Sequence, residues 1–154
     1  MEEAITKTVK HAIMTALSSL TPTSDGTVIK DVVGSGEDAF DKYPIIRVLP
    51  NGITRDIDST ERHYKYTMNY VISIYLELGN DVTLPDEEVI DTLLELQDKV
   101  YKELDEGAWL PDVGTGNLDI VENTSPSIID TTNSKTGVAV YCDIEYGVTL
   151  TKPI

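Results

Sequence analysis

An α+β domain, with a mostly antiparallel sheet that carries two long strands and two helices packed on one face, is the fold this 154-residue sequence predicts. Three patterns carry the prediction. Between residues 64 and 78 every even position is apolar or aromatic: Tyr64, Tyr66, Met68, Tyr70, Ile72, Ile74, Leu76 and Leu78. The odd positions are mostly polar, with Lys65, Thr67, Asn69, Ser73 and Glu77 among them. The same alternation returns at Val138, Val140, Cys142, Ile144, Tyr146, Val148 and Leu150, opposite Asp143, Glu145, Thr149 and Thr151. Period two marks a strand with one buried face. The third pattern is a pair of stretches, 2–20 and 88–104, whose apolar residues recur at three- and four-residue steps, as on one side of a helix. Such an order places a layer of helices on a layer of sheet.

Taken in order, the first helix has the stripe Ile5, Val9, Ala12, Ile13, Ala16, Leu17 and Leu20, with Glu2 and Glu3 at the positive end of its dipole and Pro22 to stop it. A first strand is expected over 27–33, followed by a loop at Gly34-Ser35-Gly36. A short second strand, 43–49, has Pro44 at its start and the turn residues Pro50-Asn51-Gly52 at its end. The polar segment 53–61 reads as a short returning strand or a loop, and we favour a hairpin tip or loop. After the long strand, Gly79-Asn80-Asp81 forms a turn. Leu84-Pro85-Asp86-Glu87-Glu88 then opens the second helix, whose stripe includes Leu93, Leu96, Val100 and Leu104 and which Gly107 ends. Trp109, in the apolar patch Ala108-Trp109-Leu110-Pro111, is expected to fold back over the helix end, with a partner anchor as the alternative. Residues 119–122 read as a short strand, and 125–135 as a loop or hairpin tip. No internal repeat or linker divides the chain, so residues 1–154 are read as a single domain.

Composition narrows the function. Apolar content of 40% is ordinary for a globular protein, and no apolar run is long enough to span a bilayer as a helix. The acidic opening Met1-Glu2-Glu3 is unlike a secretory signal, so no export is expected, and the single cysteine, Cys142, excludes an internal disulfide and leaves the redox compartment open with the cytosol as default. With 27 acidic against 12 basic residues the net charge is −15. That field repels phosphate backbones and argues against DNA gripping. The acid load either keeps the protein soluble or makes a surface past which nucleic acid slides without sticking.

No catalytic constellation emerges. His11 and His63 have no motif around them, and Cys142 falls in the apolar register of its strand, as a buried thiol would. Asp86-Glu87-Glu88 reads as helix-start charge and Asp56 with Asp58 as a polar loop. No segment has the alternating oxygen ligands, central glycine and closing glutamate of a calcium loop. Gly114-Thr115-Gly116 is a fragment of a glycine-rich motif that leads into a strand, where phosphate binding requires a helix. Asn123-Thr124-Ser125 matches a glycosylation acceptor only if the chain is secreted. We therefore expect no enzyme, no cofactor and no metal site.

What remains is tyrosine and strand length. Eight tyrosines stand against one phenylalanine and one tryptophan, and Tyr64, Tyr66, Tyr70, Tyr75 and Tyr146 lie on the long strands. Tyrosine combines apolar area with a polar tip, which suits surfaces buried only on assembly, although strand propensity alone also enriches it. A strand over 64–78 would extend roughly 50 Å, more than a small private core requires.

The N-terminal helix, Tyr43-Pro44-Ile45-Ile46-Arg47-Val48, the long strand that leaves as Ile74-Tyr75-Leu76-Glu77, and the helix over 88–104 together resemble the tail terminator, or tail completion, proteins of tailed bacteriophages. The similarity spans residues 2–151 as a pattern of elements, without a diagnostic motif. It implies a virion subunit that assembles into a ring, usually a hexamer, caps the tail tube, ends tail polymerisation and joins the head. Its partners would be copies of itself, the tail tube protein and the head–tail connector protein, with DNA passing through unbound and no membrane involved. Its place would be the virion tail or neck, reached from the host cytoplasm. Arg47, Arg55 and Arg62 are the candidate intersubunit ion-pair residues, and Lys65, Tyr75 and Glu77, on the odd face and outer end of the long strand, are further interface candidates. Alternatives are another neck or head completion protein, a small acidic enzyme or ligand-binding domain, and an assembly chaperone or adaptor.

Overall fold

The computed structural model describes residues 4–37, 39–58, 63–79, 82, 84–113, 116–121, 128–135 and 137–153. Glu2, Glu3, Arg62, Asn80, Asp81, Gly114, Thr115 and the 123–125 acceptor lie outside the described residues.

The chain runs α1 (Ile5–Leu17), β1 (Asp31–Val33), β2 (Ile45–Asp58), β3 (His63–Glu77), α2 (Glu87–Asp105), β4 (Asn117–Val121), β5 (Ile128–Asn133) and β6 (Val138–Pro153). One six-stranded sheet has the order β1-β2-β3-β6-β4, with β5 also on β6. Among the described residues β1 pairs with β2 in parallel, and the other pairs are antiparallel. This is the expected α+β class, with both helices packed on the even face of the sheet.

The reason is the period-two pattern itself. Met68, Tyr70, Ile72, Ile74 and Leu76 of β3 share one core with Val140, Cys142, Ile144, Tyr146, Val148 and Leu150 of β6. Val9, Ile13 and Leu17 of α1 and Leu93, Leu96, Val100 and Leu104 of α2 close over them. Each such leucine, isoleucine or valine contributes about 1.5–3 kcal/mol relative to leaving it in water. Cys142 is a buried thiol within this core. Tyr70 is buried in the same face, with its hydroxyl donating to the Thr6 carbonyl at 2.8 Å.

Four boundaries differ from expectation. Pro50-Asn51-Gly52 does not end a short strand, because β2 continues through it to Asp58. Pairing shifts from Pro50↔Tyr70 to Ile53↔Met68, so these residues form a bulge that inserts one residue into the ladder. Gly52 supplies the positive φ, +96°. The part of 53–61 that is described is therefore strand, and the sheet holds three long strands of 14, 15 and 16 residues, one more than expected. Residues 128–133, expected as loop, form β5. It pairs with β6 from Ile128↔Asp143 to Asn133↔Val138, while β4 pairs with the later stretch from Val121↔Gly147 to Asn117↔Thr151. Since β3 occupies the other edge of β6, β4 and β5 share one edge end to end. The first strand shrinks to three residues.

Helix ends follow local chemistry. Asp86 caps α2 by accepting from the Val89 N–H at 3.0 Å, and Glu87 and Glu88 sit in the first turn. At the other end Gly107 has φ +71°. Trp109 folds back, its indole N–H donating to the Leu104 carbonyl at 2.9 Å, and the Tyr146 hydroxyl donates to the same oxygen at 2.8 Å. Among the described residues no helix is long and apolar enough to cross a membrane.

Candidate assembly surfaces

Two ends of the long strands present different chemistry. At the first, β2 beyond its bulge, the start of β3 and the end of β6 form a ribbon, with β4 on the outer side of β6 as far as Thr151. Opposed residues share a face, so the inserted residue lets odd positions of β2 stand beside even positions of β3: Arg55 pairs with Tyr66, and Ile53 with Met68. The Arg55 guanidinium lies 5.1 Å from the Tyr64 ring and 5.7 Å from that of Tyr66, and the Lys152 ammonium lies 5.3 Å from the Tyr66 ring. Between this cluster and the start of α1 runs a trough of about 360 Å³, lined by Ile5, Ile53, Tyr66, Met68, Leu150 and Lys152 among others. Ile53 is 55% exposed there.

The opposite end is acidic. The loop before β1 is strapped along α2: Ser24 donates from its N–H and hydroxyl to Glu95 at 2.7 and 2.9 Å, and Lys99 donates to the Thr21 hydroxyl at 3.0 Å. Spacing of three and four residues puts Thr92, Glu95 and Lys99 on one side of the helix. Asp25 accepts from the Thr23 hydroxyl, from the Thr27 hydroxyl and N–H, and from the Thr92 hydroxyl. These donors, the Thr23 hydroxyl foremost, hold its carboxyl well below the usual carboxylate range. A carboxylate so occupied is a structural acceptor and a poor general base. A cleft of about 300 Å³ lies beside it, between Leu76, Glu88 and Pro44. Leu84, just before the Asp86 cap, is 75% exposed.

The odd face near the end of β3 is less open than expected. Phe40 and Tyr141 pack on Tyr75, with ring centroids 5.2 and 5.4 Å away, and Tyr75 is 2% exposed. The 39–44 segment folds over this end of the face and gives it a second small core with Ile45. Tyr75 is thereby removed from the surface a neighbouring subunit could touch. Arg47 is likewise engaged within the chain: its guanidinium donates to the Glu37 carbonyl at 2.9 Å and lies 5.5 Å from the Tyr75 ring. An intersubunit ion pair would compete with both contacts. Of the other expected interface residues, Arg55, Lys65 and Glu77 are exposed, Arg55 with Lys65 at the ribbon end and Glu77 at the acidic end, and Arg62 lies outside the described residues.

Burial raises the hydroxyl pKa of Tyr70 and Tyr146, and both act as neutral donors to backbone carbonyls. His11 is exposed on α1. Among the described residues no group of three or more histidine, cysteine, aspartate or glutamate side chains could hold a metal ion. Sequence reasoning missed Ile53, Leu84 and Lys152 as surface candidates; the signal for them was an apolar or basic residue in a segment read as hairpin tip, helix start or tail. Compared with known proteins, the chain matches no family model and no curated protein.

Proposed function

We propose that this chain is a non-catalytic structural subunit that assembles into a ring, with six copies as the number the resemblance implies. The ring would cap the tail tube of a tailed bacteriophage, end its polymerisation and present the surface that joins the head. One observation carries the reading. Among the described residues, β2 pairs on both sides only at 45–47, where β1 lies, and from 48 to 58 its single strand partner is β3. A long strand edge of this kind is a liability in a monomer unless something pairs with it or covers it. Assembly supplies that cover.

The element order supports the family, and the charge of −15 fits a lumen through which DNA passes without sticking. On this reading the protein resides in the virion tail or neck and requires no cofactor. Its partners are its own copies, the tail tube protein and the head–tail connector protein. Negative-stain electron microscopy of the purified protein, alone and with tail tubes, tests the proposal. Rings that sit at tube ends are the expected result. A strictly monomeric protein that leaves tube ends bare would refute it, and rings that bind a head completion complex but no tube would move the protein to another place in the neck.

A further inference from the structure

We infer that the trough between α1 and the ribbon receives the segment 84–88 of a second copy, head to tail. This rests on the reading that the chain assembles with itself, and it names the two surfaces that meet. Leu84 is the most exposed large hydrophobic residue among those described. The trough is apolar at its floor, through Ile5, Met68 and Leu150, and at its rim, through the exposed Ile53. Its volume of about 360 Å³ is ample for a leucine side chain and its neighbours.

Charge selects the occupant. The trough is flanked by Arg55 and Lys152 in a chain with only 12 basic residues, and Leu84 is followed within four residues by Asp86, Glu87 and Glu88, all exposed. An arginine stacked on an aromatic face keeps its N–H edge available for a carboxylate, so the contacts of Arg55 with Tyr64 and Tyr66 orient it without consuming it. The same segment cannot fill its own trough. Tyr66 lines the trough, and Leu76 lines the cleft that Glu88 and Val89 border, so the two ends are separated by ten residues of one strand, about 34 Å. Since knob and trough are different surfaces, the contact is heterologous. Repeated head to tail it closes into a ring if the rotation allows, and otherwise extends into a filament.

The test compares wild type with Leu84→Asp, with the pair Arg55→Glu and Lys152→Glu, and with the pair Glu87→Lys and Glu88→Lys, by sedimentation velocity over a concentration series, with circular dichroism to establish that each variant is folded. Leu84→Asp should weaken self-association at least about thirtyfold, the loss expected of an interface anchor. Leu84→Asp keeps an intact trough and the Arg55/Lys152 variant an intact knob, so mixing them should yield dimers and nothing larger. Mixing the two charge-reversed pairs should restore contact at the matched interface. If wild type assembles and Leu84→Asp assembles equally well, or if the mixture gives no dimer, the docking inference is overturned while the ring reading stands. A wild type that stays monomeric to its solubility limit overturns both. Assembly through this contact with no affinity for tail tubes would leave the contact established and refute the tail reading alone.

Discussion

The Leu104 carbonyl at the end of α2 accepts from the Trp109 indole at 2.9 Å, from the Tyr146 hydroxyl at 2.8 Å and, more weakly, from the Gly107 N–H at 3.2 Å. Tyr146 is 3% exposed, so the acceptor is shielded on that side. In Tyr146→Phe the donor disappears while the carbonyl keeps Trp109, and the loss should be near the net value of one hydrogen bond, about 1 kcal/mol. Trp109→Phe removes the other donor and some packing against Tyr146, whose ring centroid is 6.3 Å away. In the double variant the carbonyl retains no side-chain donor and is left with backbone N–H contacts at the helix end, and the penalty of a poorly satisfied buried acceptor, about 1–3 kcal/mol, appears for the first time. The double variant should therefore lose about 1 kcal/mol or more beyond the sum of the singles. For a chain of this length 1 kcal/mol is about 2–4 °C in Tm, readable by circular dichroism, which does not depend on the single tryptophan. Additivity within about 0.3 kcal/mol would refute the shared-acceptor argument. It would also reopen Trp109 as a partner anchor, since that side chain would no longer be committed to the helix end.

Other consequences follow from particular contacts. Tyr75→Ala empties the small core formed with Phe40 and Tyr141 and should cost about 3–5 kcal/mol in urea unfolding, whereas a residue waiting for a partner would change little. Gly116 has φ +91°, and a Cβ there would collide with the Thr151 carbonyl oxygen; Gly116→Ala should cost about 1–3 kcal/mol and raise amide exchange along β4, while unchanged protection would contradict the close approach. The pKa of Asp25 is lower folded than unfolded, so its stabilisation is present above the unfolded carboxylate range and fades as pH falls below about 4. Asp25→Ala should melt below wild type at neutral pH, with the gap narrowing under acid titration; a gap that is constant with pH would show that the hydroxyl donors do not favour the ionised form.

Alternation over 64–78 and 138–150 was sufficient to predict β3 and β6 and their buried even faces, because a side-chain period of two leaves only one way to bury so many apolar residues, and the three- and four-residue stripes of 2–20 and 88–104 predicted the helices above them. The helix caps were equally local: Asp86, Gly107 and Trp109 act within a few residues of where they stand. Segments 53–58 and 128–133 could not be read this way. Both are mostly polar, and they become strands because β3 and β6 each offer a further long edge whose backbone groups pair with theirs, an energy with no trace in side-chain hydrophobicity. The candidate surfaces depend on the same nonlocal pairing. One inserted residue at 50–53 sets Arg55 beside Tyr66, and the fold of 39–44 covers Tyr75, so the surroundings of each tyrosine were decided by register and by a loop folding over the sheet. Sequence alone determined which face of the long strands forms the main core; tertiary structure decided what is covered on the other face, Tyr75 included, because that depends on every segment that packs nearby and the core face on the pattern of one.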